Sequence, residues 1–251
     1  MALNRQEYNS EISLYYQEEL PYELAEAISR HVWLGLSSAA EAENFELIRD
    51  IRSKVYRMKF QGEVYYLKSY TPRDTSKIIK NFFRPADAVR YFQVAAKLSA
   101  AGVPIAQPVL ALTKKTGFRS ADSIFVTREV PGKDLYAYLL QGAQDDPEQR
   151  KKMVNQFAFM WSRLINLNLV HQDPWLGNFI IHFGEEKNDF QIALIDVDNI
   201  YFIPLLPRKL FWLLNVKRLH YKLGRVNFAV SQSEINVFLE QLNKFMKMET
   251  R

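Results

Sequence analysis

Hydrophobic and polar positions change their period along the chain. Between residues 44 and 70 the runs FELI, KVYRMKF and EVYYLKSY are rich in aromatic and branched side chains, the composition of half-buried strands. Gln61-Gly62-Glu63, between the last two runs, predicts a hairpin turn. After a basic stretch, ADAVRYFQVAAKLSAAG has helix-forming composition and stops at Gly102, with Pro104 just beyond, which predicts a helix end there. Further extended segments are expected around Val109 to Leu112 and Ser123 to Arg128. These elements make a small sheet with one helix.

The texture changes at Asp146. Asp146, Pro147 and Glu148 predict a helix start, with proline where its missing N–H costs nothing. Met153, Phe157, Met160, Leu164 and Leu167 then recur at steps of three and four, marking a core-facing stripe. Past that helix, FIIHF and QIALIDVDN are short apolar strands separated by the polar turn GEEKND, a second hairpin ending at Asp196. The remainder reads as helical, with Ser231 and Glu234 as a capping box for a final helix carrying Ile235, Phe238, Leu242 and Phe245. A sheet-rich part precedes a helical one, so the expected fold class is α+β.

Composition narrows the function classes. At 251 residues and 48% hydrophobic content, the chain buries a sizeable core in one two-lobed domain or two small ones. Cysteine is absent, which excludes disulfides and thiolate metal sites and fits a reducing compartment. The amino terminus lacks the apolar core of a signal peptide, and no apolar run approaches the ~20 residues that cross a bilayer, so a cytoplasmic location is expected. A net charge of +5 favours an acidic partner, whether nucleotide, phosphorylated sugar, anionic lipid or nucleic acid.

Chemistry enters with LVHQDPWLGNF at residues 169–179. His171, Asp173 and Asn178 stand at the spacing H-x-D-x-x-x-x-N directly after an amphipathic helix. Short polar side chains such as Asp173 and Asn178 compete for backbone hydrogen bonds and suit a loop. Phosphoryl transfer from a nucleotide needs a strand lysine, a catalytic-loop aspartate and asparagine, and a metal-binding aspartate after a later strand. Lys68, Asp173, Asn178 and Asp196 occupy those places in that order. Lys68 would neutralise nucleotide phosphates, and Asp173 would orient an acceptor hydroxyl and take its proton. Asn178 and Asp196 would hold Mg2+ with phosphate oxygens and water completing its shell. His171 is expected to be structural, fixing the loop through hydrogen bonds.

SKVYRMKFQGEVYYLKSY, AAGVPIAQPVLAL, IFVTREVPGKDLYAYL, HQDPWLGNF and LIDVDN together resemble the lipopolysaccharide kinases of the Kdo and heptose kinase group, over about Phe45 to Asn199. The resemblance implies a bilobal protein-kinase-like fold in a single domain, residues 1–251. Its small sheet-rich N-lobe would span about 1–128, the hinge about 128–132 and the helical C-lobe about 133–251. It implies an ATP-dependent enzyme that phosphorylates a sugar hydroxyl, Kdo or heptose, of the lipopolysaccharide inner core. Such an enzyme works peripherally at the inner face of the inner membrane, with no nucleic-acid partner expected. By the same likeness, Arg128 to Val130 would receive adenine through backbone groups, making Glu129 and Val130 cofactor-binding positions.

The sequence departs from this pattern in several places. The phosphate-covering turn near Arg49 to Ser53 has no glycine, and Arg49, Arg52 or Lys54 could supply side-chain charge in its place. The helix after Lys68 lacks glutamate, which leaves Asp87 as the acidic candidate partner, one turn before Tyr91. Gln172 stands where regulated protein kinases carry arginine, so switching by loop phosphorylation is not expected. Residues 200–225 interleave leucines and aromatics with Arg208, Lys209, Lys217, Arg218, Lys222 and Arg225, a mixture suited either to an anionic membrane surface or to a helical core with a basic face. A cluster drawn from Lys77, Lys80, Arg84, Arg208, Lys209, Lys217 and Arg218 is expected to bind the glycolipid. Two other readings remain open: a kinase of this fold acting on a soluble small molecule or a protein, and a non-catalytic nucleotide-binding scaffold.

Overall fold

A computed structural model of the chain describes residues 3–36, 38, 42–51, 53–72, 84–117, 120–141, 146–184, 189–203, 205–223 and 230–248. The chain divides into two compact units, Met1–Ala96 with Gln107–Glu129, and Lys97–Ala106 with Val130–Arg251.

The first unit is built on one antiparallel sheet. Its strands are β1 (Asn4–Glu7), β2 (Ile12–Tyr16), β3 (Phe45–Asp50), β4 (Lys54–Phe60), β5 (Glu63–Tyr70), β6 (Pro108–Gly117) and β7 (Ser120–Arg128), in the spatial order β1-β2-β6-β7-β5-β4-β3. The β4–β5 hairpin closes through Gln61 (φ 49°) and Gly62 (φ 81°), two left-handed residues whose twist matches that of the paired strands. Alternation then sorts the side chains by face. Ile12, Leu14, Met58, Tyr65, Leu67, Leu110, Leu112, Ile124 and Val126 form one core with Leu24, Ala25 and Ile28 of helix α1 (Tyr22–Ser29). On the opposite face Phe125, cross-strand neighbour of Lys68, meets Phe92 at 6.1 Å between ring centroids, and Tyr70 meets Tyr91 at 5.2 Å. Phe92 and Tyr91 belong to α2 (Asp87–Ala100). The sheet is therefore larger than the sequence pattern suggested, by β1 and β2, and one more helix, α1, packs on it.

The second unit begins within α2, which ends as expected at Gly102 (φ 76°), with Val103 N–H donating to Leu98 C=O at 3.0 Å, a glycine-terminated helix stop. It continues from Val130 through β8 (Lys133–Asp134), α3 (Leu135–Leu140), α4 (Pro147–Asn166), β9 (Leu169–His171), β10 (Phe179–Phe183), β11 (Phe190–Leu194), β12 (Ile200–Phe202), α5 (Arg208–Leu223) and α6 (Gln232–Met248). β11, β10 and β8 form one small sheet, and β12 and β9 another. Asp146 caps α4, accepting from Glu148 N–H at 2.9 Å and Gln149 N–H at 3.4 Å. Met153, Met160 and Leu164 of the predicted stripe are buried, and Trp161 and Ile165 join them. Trp161 lies at the centre of an aromatic group with Phe157, His171, Phe179 and Phe238. Among the described residues no helix is long and apolar enough to cross a membrane.

Candidate active site

Backbone and side-chain hydrogen bonds shape the segment that follows β9. Trp175 N–H donates to Asp173 C=O (2.8 Å) and Asn178 N–H to Trp175 C=O (2.9 Å), two tight turns in succession. The Asn178 amide nitrogen donates to the Asp173 carbonyl at 3.0 Å. That bond fixes the amide plane and leaves the amide oxygen as the group that can bind a cation. Gly177 makes the turn feasible, because a Cβ there would stand 2.7 Å from Trp175 Nε1 and 3.2 Å from Asp134 Oδ2. Ile195 N–H donates to Asn178 C=O at 2.9 Å, so the end of β11 that delivers Asp196 lies against the start of β10 that delivers Asn178. One Asp196 oxygen, Oδ1, accepts from Asp198 N–H at 2.9 Å. Within the second unit Asp173, Asn178 and Asp196 are thus gathered by a connected set of bonds.

His171 corrects the sequence expectation. Its side chain is 1% exposed, and neither ring nitrogen has a hydrogen-bond partner among the described residues. The ring instead stacks on Trp161 at 6.0 Å, and burial pushes its pKa down to about 4, against smaller upward pulls from Asp196 and Asp173. The loop is fixed from elsewhere. Asn215, fully buried on α5, accepts from His171 N–H at 3.0 Å and donates to Leu169 C=O at 2.9 Å and Phe211 C=O at 3.0 Å. Asn215 had no signal in the sequence, since its partners on β9 lie more than forty residues away.

The same helix brings charge to Asp173. Lys222 Nζ lies 2.5 Å from Asp173 Oδ1, an ion pair not directed as a hydrogen bond. Arg218, one turn earlier, is close enough to His171 to act on its titration, as is Lys222. The cations of residues 200–225 therefore divide. Lys209 and Lys217 are exposed beside the exposed Leu210, Leu213 and Tyr221, whereas Phe211, Asn215 and Leu219 are buried. Arg208 donates to Asn166 Oδ1. Of the expected glycolipid cluster, Arg208, Lys209, Lys217 and Arg218 stand on α5, and Lys222, outside that expectation, is ion-paired with Asp173. Lys77, Lys80, Arg52 and Arg225 lie outside the described residues.

In the first unit Lys68 projects from β5 on the face shared with Phe125 and α2. Asp87 carries guanidinium neighbours, Arg90 in a close ion pair and Arg84 at 3.9 Å. Glu129 N–H donates to Val64 C=O at 2.9 Å, so that donor is spent inside the sheet and the Glu129 carbonyl remains as its acceptor. The Glu129 side chain is drawn to Arg57 Nε at 3.1 Å and Tyr66 OH at 3.5 Å. In the expected phosphate-covering turn, Ile51 is 66% exposed and Lys54 lies 3.8 Å from Asp50.

Among the described residues no group of three or more His, Cys, Asp or Glu could hold a metal ion. One oriented amide oxygen and one carboxylate do suit a cation that keeps water and takes the rest of its shell from phosphate.

A family model described as the lipopolysaccharide kinase (Kdo/WaaP) family matches residues 32–209. A solved structure, WaaP in complex with acyl carrier protein, aligns with a TM-score of 0.62 over 94% of this chain and 92% of that chain, at 17% identity. That likeness shows the protein-kinase-like fold. No curated protein matches the chain.

Proposed function

Because the chain belongs to the lipopolysaccharide kinase (Kdo/WaaP) family, and is thus a phosphotransferase acting on sugar hydroxyls of lipopolysaccharide, we propose that it transfers the terminal phosphate of ATP to a Kdo or heptose hydroxyl of the inner core. We further propose that it is one kinase domain over residues 1–251 and uses Asp173 as base. The observation that supports this reading is the bonded set in which Asn178 holds the Asp173 carbonyl and Ile195 holds Asn178, which ties the segments carrying Asp173, Asn178 and Asp196 together.

In this reading Asp173 accepts the acceptor's hydroxyl proton as that oxygen bonds to the terminal phosphorus. The bond from phosphorus to the bridging oxygen breaks, and ADP leaves. Asn178 and Asp196 would hold Mg2+, which when bound neutralises charge on the phosphates. Lys68 would pair with the nucleotide phosphates, and the Glu129 carbonyl with Val130 would meet adenine.

Location at the inner face of the inner membrane is part of the same proposal. Its support is the exposed α5 surface of Lys209, Leu210, Leu213, Lys217 and Tyr221, apolar and cationic side chains side by side, which suits anionic lipid. Neither Asp nor Glu occurs between Asp198 and Glu234 to oppose that charge.

Mass spectrometry of lipopolysaccharide from cells carrying wild type or Asp173→Ala tests the proposal. The expected outcome is loss of one phosphate from the inner core in the variant. Unchanged phosphorylation would remove Asp173 as base, and equal turnover of soluble sugars or peptides by the wild-type enzyme at matched ionic strength would remove the inner-core assignment.

A further inference from the structure

An acceptor hydroxyl engaged by Asp173 must approach to about 2.6–3.2 Å, and there it also meets Lys222, whose Nζ is 2.5 Å from Asp173 Oδ1. Structural need does not account for this contact. The two side chains are 27% and 42% exposed, and ion pairs so open to water contribute only ~0–1 kcal/mol. Lys222 is reachable from solvent and can exchange Asp173 for another anion.

Arg218 strengthens the case. It lies four residues before Lys222 on α5, so the two share a helix face. Its Nη1 is buried and meets no hydrogen-bond partner among the described residues. A cationic nitrogen withdrawn from water without a partner is costly, and an arriving anion would satisfy it with a charge-assisted bond. Nothing nearby in sequence supplies that anion, because Asp198 and Glu234 are the flanking acids. The helix is also anchored to the loop by Asn215 at its middle, so Lys222 keeps a fixed place beside Asp173, with Arg218 one turn earlier on the same helix face.

We infer that Arg218 and Lys222 form a binding site for an anionic group of the acceptor, a sugar phosphate or sugar carboxylate adjoining the hydroxyl that Asp173 holds. This rests on the proposed role of Asp173. The site selects acceptors by the charge next to the reacting hydroxyl, and neutral sugars lack the group that fills it.

The test compares initial rates of wild type, Lys222→Met, Lys222→Arg and Arg218→Met on three probes: native inner-core glycolipid, the same glycolipid dephosphorylated, and the same glycolipid with its carboxyls reduced. Unfolding temperatures check that each variant is folded. Lys222→Met and Arg218→Met should each raise KM for the native acceptor by about tenfold, with KM for ATP changed less than about twofold and Lys222→Arg restoring most of the loss. One modified acceptor should already be poor with wild type and lose little more with Lys222→Met. If that acceptor is the dephosphorylated one, the anion is a phosphate; if the reduced one, it is a carboxylate. A larger rise in KM for ATP than for acceptor, or equal losses on all three probes, overturns the inference while leaving Asp173 as base. Full activity of Asp173→Ala would instead remove the reading beneath it.

Discussion

Packed against Trp161 and Phe179, the imidazole of His171 is held neutral, with its pKa pushed down to about 4 from an ordinary 6.5. Above pH 6.5 neither folded nor unfolded chain binds this proton. Between about 6.5 and 4 the unfolded chain takes a proton that the folded chain refuses, so stability falls with pH, by on the order of 3 kcal/mol in all. Urea unfolding at pH 7 and pH 4.5 should show this loss, and His171→Leu should show less of it. Asn215 acts through backbone groups. Asn215→Ala would leave His171 N–H and Leu169 C=O buried without partners, at a cost of about 2–4 kcal/mol. Its denaturation midpoint should fall accordingly, and turnover should fall with it because the loop loses its anchor.

At the scale of elements, α6 begins on a double engagement of one carboxylate. Glu234 accepts from Ser231 N–H at 2.7 Å and from the Ser231 hydroxyl at 2.8 Å, and it also takes both branches of Arg150 from α4. Burial alone would raise the Glu234 pKa, but Arg150 and Ser231 outweigh it and the net shift is downward. Its contribution is present above the ordinary carboxylate range and is lost as acid protonates it. Glu234→Ala should destabilise by about 2–3 kcal/mol, measured by denaturant unfolding at pH 7. In the segment from Asp173 to Asn178, Gly177→Ala forces a Cβ to within 2.7 Å of the Trp175 ring nitrogen. It should lower kcat far more than the unfolding temperature, since the displaced turn carries Asp173 and Asn178.

These elements also show what the sequence could reveal. The Ser231 to Glu234 cap was legible because four consecutive residues contain it, and the β4–β5 hairpin because Gln61-Gly62 states its own geometry. Arg150 was not, standing 84 positions from Glu234. β1 escaped because its four exposed residues, NRQE, carry no apolar alternation. Lys222 read as one more surface lysine, since its partner Asp173 is brought to it only by the packing of α5 on β9. The order Lys68, Asp173, Asn178, Asp196 stands in the sequence and carries the proposal made above, whereas the shell that holds His171 N–H left no trace there.

For the whole molecule, nucleotide binding should appear as stability. Ligand at about a hundred times its dissociation constant adds ~2.7 kcal/mol to the folded state. Magnesium with ATP should therefore raise the unfolding temperature of wild type and of Asp173→Ala but not of Asp196→Ala, measured by scanning calorimetry. Equal shifts in all three would remove Asp196 from the proposed metal site. The chain's two units are interleaved in sequence, because Lys97–Ala106 belongs to the second although Gln107–Glu129 returns to the first. Pro104 C=O and Ala106 N–H take up the N–H and C=O of Leu194 at 3.0 and 2.8 Å, two residues before Asp196. A fragment expressed from Val130 onward would hold the whole segment from Asp173 to Asp196 yet open that strand edge to solvent, an invitation to pair with other copies. The second unit is thus a genetic composite. Its dissection calls for complementation in trans, with a peptide spanning 97–106 restoring solubility to the downstream fragment.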